Sequence, residues 1–365
     1  MAEVRVENLG KTFGDFIAVR DSTFAVENGE FFVMLGPSGC GKTTTLRILA
    51  GLELPSAGRV MLDDVDVTFE RAAGRDIAFM FQLFALYPHM NVRRNIEFPL
   101  KCQGVARSER NQRVEEAAKL LRIDDMLDRP VSTLSGGDRQ RVALGRAIVR
   151  RPKAFLMDEP LGALDTEFRE LMCAQLRSLH DRMRATTLYV THDQLEAMAM
   201  ADRIMVMNNG VIEQLSTPQE IYDRPATMFV ADFIGSPPMS FLRFEDALAP
   251  GQSEVAVNGA RIKVPTLLEG VAKGPLALGV RPEHVRFSDA SKLRGTVFGT
   301  EYLGTTQIVT VDTPHGQLKA RVRSSERVES GENVGLEYST RRLVVFDARN
   351  GRALRSELYE GPAHG

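Results

Sequence analysis

Cysteine is scarce in this chain, and the three present, Cys40, Cys102 and Cys173, are odd in number and far apart. That spacing excludes a disulfide framework and a sulfur-ligated zinc site, and it fits a reducing compartment. Net charge is nearly absent as well, since 46 basic residues against 48 acidic ones leave a formal charge of -2. No overall field therefore draws the protein to nucleic acid or anionic lipid, and such contacts would have to be local. No stretch approaches the roughly 18 to 20 consecutive apolar residues that cross a bilayer. The opening MAEVRVENLG alternates charged and apolar residues where a signal peptide needs a basic start and an apolar block, so the expected location is the cytosol.

The length of 365 residues suggests two or three domains. FFVML at 31–35 is a buried-strand run followed by a glycine loop, a helix carrying Leu46, Leu49 and Ala50, and a stop at Gly51. From about 105 to 150 the pattern is helical and charge-rich, with SERNQRVEEAAKLLRI its clearest amphipathic stretch. AFLMD at 154–158 and TLYVTH at 187–192 read as interior strands of a parallel sheet. A composition break follows at GSPPMSF, residues 235–241, where glycine and two prolines cannot continue a helix. Beyond it, ALGV, GTVFGTEYL, TQIVTVD, GLEY and RLVVFD alternate with glycine and polar turns, the pattern of an all-β domain such as a small barrel. These features predict an α/β domain over 1–235, with a helical subdomain at about 83–150, and an all-β domain over 236–365.

GPSGCGKT at 36–43 fits the P-loop pattern. Gly36, Gly39 and Gly41 let the backbone curl so that amides point inward, Lys42 reaches the outer phosphates, and Thr43 offers a hydroxyl to magnesium. Pro37, Ser38, Cys40 and Thr44 complete the candidate nucleotide contacts, with Cys40 a filler whose thiol lies beside the nucleotide. A chance glycine-rich turn is the competing reading, and the strand before and helix after the loop count against it. AFLMDEP then supplies two acids at a strand end, Asp158 to hold magnesium through water and Glu159 to polarise the attacking water. Two acids there are by themselves also compatible with a merely solvated strand end.

LSGGDRQRVALGRAI, residues 134–148, joins a serine and two glycines to the start of a helix. This segment resembles the signature motif of ATP-binding cassette proteins. Other motifs resemble that family in order: Gln82 after IAFMF its Q-loop, LGALD at 161–165 its D-loop with Leu164 and Asp165, and His192 its switch histidine. The resemblance spans roughly residues 3–235 and implies a head-to-tail pair of cassettes. Each ATP would lie between the P-loop of one chain and Ser135, Gly136, Gly137 and Asp138 of the other. It further implies that Gln82 touches magnesium and water at the hinge to the helical subdomain, and that His192 bonds the terminal phosphate and orients Glu159. Phe13 admits core packing or, by its place in the family pattern, stacking on adenine. Asp138 stands where many relatives have glutamine. An acid in a first helical turn favours the helix dipole yet adds charge near a triphosphate, and Arg139 is the expected compensating cation.

QLFALYPHMNVRRNIEFPL, residues 82–100, carries an apolar and aromatic patch that a soluble monomer has little reason to display. Phe84, Leu86, Tyr87, Pro88 and His89 resemble the groove that receives a helix of the membrane subunit in importers of this type, internal packing being the alternative. ALYPHM, FIGSPPMSFL, GVRPEHV and TEYLG are similar to cassette subunits of carbohydrate importers, the group of the maltose importer's ATPase. That likeness implies an OB-like (TOBE-type) C-terminal regulatory domain. It also implies ATP and Mg2+ as ligands, and a homodimer or a heterodimer with a related cassette. The partners implied are two transmembrane permeases and a periplasmic or extracellular solute-binding protein, at the cytoplasmic face of the bacterial membrane. The solute would be a sugar or a related polyol or sugar-phosphate. Two rivals are single-strand nucleic-acid binding and a soluble cassette ATPase acting on DNA or ribosomes. The first needs a basic groove with an aromatic series, which residues 236–365 do not offer. The second would usually lack ALYPHM and this tail.

Overall fold

The computed structural model describes residues 2–81, 85–162, 164–257 and 260–360. The chain divides into two compact units, Met1–Pro218 and Gln219–Gly365.

The first unit opens with β1 (Val4–Phe13) and β2 (Phe16–Val26), an antiparallel hairpin extended by β4 (Ala57–Leu62) and β5 (Val65–Asp66) into a sheet ordered β2-β1-β4-β5. Its main sheet holds β3 (Phe31–Leu35), β6 (Ile77–Met80), β7 (Ala154–Asp158), β8 (Thr186–Thr191), β9 (Arg203–Asn208) and β10 (Val211–Ser216). The order is β10-β9-β3-β8-β7-β6, all parallel except β10. Every residue of β3 and β8 is buried, as strands covered on both faces require, which is why they read as unbroken apolar runs rather than alternations.

Register does the placing. Leu35 pairs with Thr191, Asp158 with Val190, and Met80 with Met157. The ends of β3, β7 and β8 therefore lie side by side, and whatever follows each strand meets at the carboxyl edge of the sheet, where ligands of open α/β sheets bind.

Helix α1 (Lys42–Leu49) follows β3 directly. Its last carbonyls, Ile48 O and Leu49 O, accept bonds of 2.7 and 2.9 Å from the buried Arg75 guanidinium, which also reaches Thr68 O and Glu70 O. A cation at a helix C-terminus satisfies orphan carbonyls and opposes the helix dipole, so Arg75 locks the far end of the helix that begins at Lys42.

Three helices form the predicted helical segment: α2 (Val92–Cys102), α3 (Arg107–Leu121) and α4 (Gly136–Ile148). On α3, Val114, Ala117, Ala118 and Leu121 are buried, one stripe at helical spacing. A methyl group on Gly145 would stand 3.2 Å from both Ile96 and Leu121, so glycine lets α4 approach α2 and α3 closely. The unit continues with α5 (Thr166–Met183) and α6 (Gln194–Met200).

The second unit begins within α7 (Pro218–Asp223) and continues with α8 (Met228–Phe233). Its strands are β11 (Ser240–Leu248), β12 (Glu254–Val257), β13 (Ala260–Lys263), β14 (Val271–Val280), β15 (Val285–Phe287), β16 (Arg294–Tyr302), β17 (Thr306–Thr313), β18 (Gly316–Arg323), β19 (Asn333–Tyr338), β20 (Val344–Asp347) and β21 (Arg352–Ala353). They form sheets ordered β11-β14-β20-β21 and β15-β19-β16-β17-β18, with the pair β12-β13 beside them. Leu242, Leu278, Val309 and Leu318 sit in their common core. The division at 218/219 lies ahead of the composition break at 235–241. The reason is that α8 buries Ala231 against Met239, Ala277 and Phe346, and the buried Arg281 donates to Ala231 O and Ile234 O at its C-terminus. Among the described residues no helix is long and apolar enough to cross a membrane.

Candidate functional site

The loop after β3 curls to deliver Lys42 as the first residue of α1. Gly41 sits at φ 107°, and an added methyl group there would lie 2.4 Å from Ala18 O on β2. Only glycine combines that left-handed backbone with so close an approach. Lys42 is buried, its Nζ donating to Gly36 O at 2.7 Å and Pro37 O at 2.9 Å, so the ammonium lies across the mouth of the loop. Cys40 Sγ is 3.8 Å from that ammonium, and burial pushes its thiol up in pKa despite the neighbouring cation. Gly36, Pro37, Ser38, Gly39, Thr43 and Thr44 flank these groups in the same turn and first helical turn.

Thr43 donates through Oγ1 to Asp158 Oδ1 at 2.9 Å, joining the first turn of α1 to the end of β7. Burial raises the pKa of Asp158, with the Thr43 hydrogen bond opposing and the Glu159 charge adding to the shift. Among the described residues no group of three or more His, Cys, Asp or Glu side chains could hold a metal by itself. A hydroxyl and one carboxylate fit magnesium all the same, because that ion keeps waters and substrate phosphates among its oxygen ligands and needs few from protein. Gln82 lies outside the described residues, as does Phe84.

Glu159 follows Asp158 in a left-handed backbone conformation, φ 43°, held by its amide bonding Val190 O at 3.0 Å. Such a conformation costs a non-glycine residue on the order of 1 to 3 kcal/mol and aims its side chain where a regular strand end would not. The carboxylate lies 3.3 Å from His192 Nδ1 at the end of β8. His192 is not packed away, its side chain being 56% exposed. The turn after Glu159 is closed by Gly162 N to Glu159 O and Leu164 N to Leu161 O, and Asp165 caps α5 by accepting from Phe168 N at 2.9 Å.

Ser135 caps α4. Its Oγ accepts from Asp138 N at 3.1 Å and donates to Asp138 Oδ2 at 2.7 Å. A methyl group on Gly137 would come within 2.2 Å of the Phe168 ring, whereas one on Gly136 would meet nothing within 4 Å. Gly137 thus serves packing onto α5, and Gly136 leaves an open approach to the helix end. The cation beside Asp138 is Arg141, 3.7 Å away, not the expected Arg139. The correction is geometric, since residues three apart share a helix face and adjacent ones do not.

Phe13 closes β1 and is 45% exposed, so it is not a core residue. Lys11 Nζ stands 4.6 Å from the ring centroid and is itself fixed by Glu53 and Leu54 O, both at 2.7 Å.

Farther along, a cavity of about 460 Å3 is lined by Met80, Tyr87, Phe98, Pro99, Cys102 and Arg146, among others. The Tyr87 ring lies 4.7 Å from Phe98, with the Arg146 guanidinium 5.5 Å over it. Leu86 and Tyr87 are half-buried, Pro88 and His89 exposed, so the segment neither packs fully inward nor hangs free. Asn95, fully buried on α2, accepts from Tyr87 N and donates to Tyr87 O, shaping that turn. Sequence reasoning passed over Asn95, Arg75 and Arg141, whose partners are mostly backbone atoms or residues on the same helix and leave no motif.

Residues 19–162 match the ABC transporter family and residues 278–346 the TOBE domain family. The chain is 45% identical to the trehalose/maltose import ATP-binding protein MalK of Thermococcus litoralis, over 97% of this chain and 100% of that one. It is 48% identical to the sn-glycerol-3-phosphate import ATP-binding protein UgpC of Ruegeria pomeroyi, over 87% and 88% of the two chains. Among solved structures, the dimeric bacterial ABC transporter cassette MJ0796 matches with a TM-score of 0.54 at 31% identity, covering 59% of this chain and 98% of that one. A phosphate loop, two strand-end acids and a histidine at one sheet edge, together with a serine-capped glycine helix elsewhere in the unit, thus occur in a chain matched along nearly its whole length, and the protein belongs to the ATP-binding proteins of ABC transporters that carry a TOBE domain and energise import.

Proposed function

We propose that two such cassettes, this chain with itself or with a related one, close around ATP and Mg2+ to drive uptake of a sugar or a related polyol or sugar-phosphate. The substrates in the names of the similar proteins, trehalose and maltose in one and sn-glycerol-3-phosphate in another, support that solute class. The cassette pair would sit at the cytoplasmic face of a bacterial membrane beneath two permeases, served by a periplasmic or extracellular solute-binding protein.

The observation that carries the reading is the meeting of Thr43 with Asp158 at 2.9 Å and of Glu159 with His192 at 3.3 Å on adjoining strand ends. Lys42 and the loop amides would bind the β- and γ-phosphates, and Phe13 would stack on adenine. Thr43 and Asp158, with Gln82, would hold Mg2+, which when bound neutralises charge on the outer phosphates. Glu159 would take the proton of the attacking water while His192 orients that carboxylate and bonds the terminal phosphate. Ser135, Gly136, Gly137 and Asp138 would meet the nucleotide of the opposite cassette through a hydroxyl, helix amides and a positive dipole end. Leu164 and Asp165 would lie at the seam. Losing the terminal phosphate removes what that helix end recognises, so hydrolysis favours reopening. Phe84, Leu86, Tyr87, Pro88 and His89 would receive the permease.

The test is Glu159→Gln. ATP binding should persist, a closed dimer should accumulate with MgATP, and turnover should fall by at least about a hundredfold, near 2.7 kcal/mol of barrier. Near-normal turnover would remove Glu159 from its role. Sedimentation indifferent to nucleotide, alone and with a second cassette, would remove the sandwich.

A further inference from the structure

Arg169 lies in the first turn of α5, outside every motif in the sequence, yet its guanidinium joins two loops of the nucleotide site. Nη2 donates to Leu164 O at 3.0 Å, in the turn that follows Glu159. Nη1 donates to Asp193 Oδ2 at 2.8 Å, the residue directly after His192. Nε stands 3.6 Å from Glu196 Oε1.

The two acids are themselves anchored. Asp193 caps α6 through its other oxygen, accepting from Leu195 N at 2.8 Å and Glu196 N at 3.3 Å, and its own amide bonds Thr191 Oγ1 at 3.0 Å. Glu196 is buried and accepts from Tyr189 at 2.8 Å and Thr191 at 2.7 Å through Oε2. Burial raises its pKa against the pull of those hydroxyls, and Arg169 contributes the opposing positive charge. The residues before and after His192 are therefore both tied into one network. Among the described residues, the histidine, with its side chain 56% exposed, has no comparable anchor of its own beyond Glu159.

The geometry points to Arg169 as a positioning residue that couples the turn carrying Leu164 and Asp165 to the loop carrying His192. A planar fork suits that task, because its two terminal nitrogens bond a carbonyl and a carboxylate in fixed relative positions, whereas a lysine ammonium offers a single, freely rotating donor centre. A shift of the Leu164–Asp165 turn when cassettes meet would then move Asp193, and with it the approach of His192 to Glu159. The inference rests on the proposed role of His192.

The experiment measures MgATP turnover of the full chain, in the assembly where it is active, for Arg169→Met, Arg169→Lys, His192→Ala and the double variant Arg169→Met with His192→Ala. Single-turnover rates serve where steady-state rates are too low. The expected result is a fall in kcat of at least tenfold for Arg169→Met with KM within threefold, and an intermediate loss for Arg169→Lys. Because Arg169 acts through His192, Arg169→Met should cost less than twofold more when placed on His192→Ala. Full kcat in either arginine variant overturns the inference, as does an equal loss in the presence and absence of His192, which marks a general structural defect. If Arg169→Met shows no cooperative thermal transition, Arg169→Lys singly and on His192→Ala decides. Wild-type turnover in His192→Ala would overturn the histidine's role and this inference together. A slow His192→Ala beside a fully active Arg169→Met would overturn the inference alone.

Discussion

Asp138→Gln isolates a conflict built into the start of α4. Asp138 is the third residue of the helix, where a carboxylate is favoured by the dipole by about 0.3 to 1 kcal/mol, and it also accepts the Ser135 hydroxyl at 2.7 Å. Losing the charge should lower the melting temperature by about 1 to 4 °C for a domain of this size. Against that stands the triphosphate that the proposed sandwich would set opposite the helix end. At roughly 7 Å and an effective dielectric of about 20, a carboxylate and one phosphate charge repel by about 2 kcal/mol. Arg141, 3.7 Å from the carboxylate, offsets part of this. If it offsets about half, roughly 1 kcal/mol remains per nucleotide, or about 2 kcal/mol for the two of a symmetric pair, near a thirtyfold shift in dimerisation. Releasing Ser135 from a charged acceptor acts in the same direction. Sedimentation of Asp138→Gln in a Glu159→Gln background with MgATP should therefore show a tighter dimer, by an amount that shrinks at about 1 M salt, where the screening length is about 3 Å. Turnover with Glu159 intact should be equal or higher. A dimer weakened tenfold, or turnover reduced tenfold or more, would show that the carboxylate contacts something favourable and that the repulsion argument is wrong.

Tyr87→Ala should uncouple solute transport in reconstituted vesicles while sparing basal ATPase activity, because it removes a wall of the Met80–Phe98 cavity but leaves the Asn95 bonds to the residue 87 backbone in place. Unaffected transport would place the coupling surface elsewhere. His180 is buried beside Phe31 and its pKa is lowered by burial, then by Arg177, so the unfolded chain binds its proton more readily than the folded one. Stability from this group is complete above the unfolded value near 6.5 and is lost as pH falls through it towards the folded value. His180→Leu should flatten the fall in melting temperature between pH 7 and 5, and an unchanged slope would refute the assignment.

What the sequence discloses about the site is what the backbone does locally. GPSGCGKT is legible because contiguous amides there take a conformation that glycine permits, LSGG because a capping serine and two side-chain-free residues open a helix, and AFLMDEP because a buried strand must end in polar residues at the sheet edge. The remaining groups act on atoms that every sequence contains. Arg75 satisfies carbonyls at the end of α1, Arg169 a carbonyl in the turn after Glu159, and Asn95 both backbone groups of Tyr87. Nothing in the identity of those partners marks them beforehand. The same holds for the division at 218/219. The helices preceding GSPPMSF belong with the strands after it, through contacts such as Ala231 with Ala277 and Phe346, which are distant in sequence.

The groups proposed for catalysis are held in two different ways. Lys42, Thr43 and Asp158 stand on elements fixed at both ends, α1 by the P-loop and Arg75, β7 by its neighbours in the sheet. Glu159 and His192 are different, one in a left-handed turn and the other on a loop, and their 3.3 Å approach depends on segments that a regular ladder does not determine. On the proposed roles, binding groups on rigid elements and hydrolytic groups on turns and loops would form a site that grips nucleotide in a single cassette yet completes its chemistry only when something orders those loops. In the proposed sandwich, the open face at Gly136 and the hydroxyl of Ser135, turned onto Asp138 in the separate chain, would belong to the half that a second nucleotide completes. Hydrolysis would then wait on assembly, as a motor that must not fire alone requires.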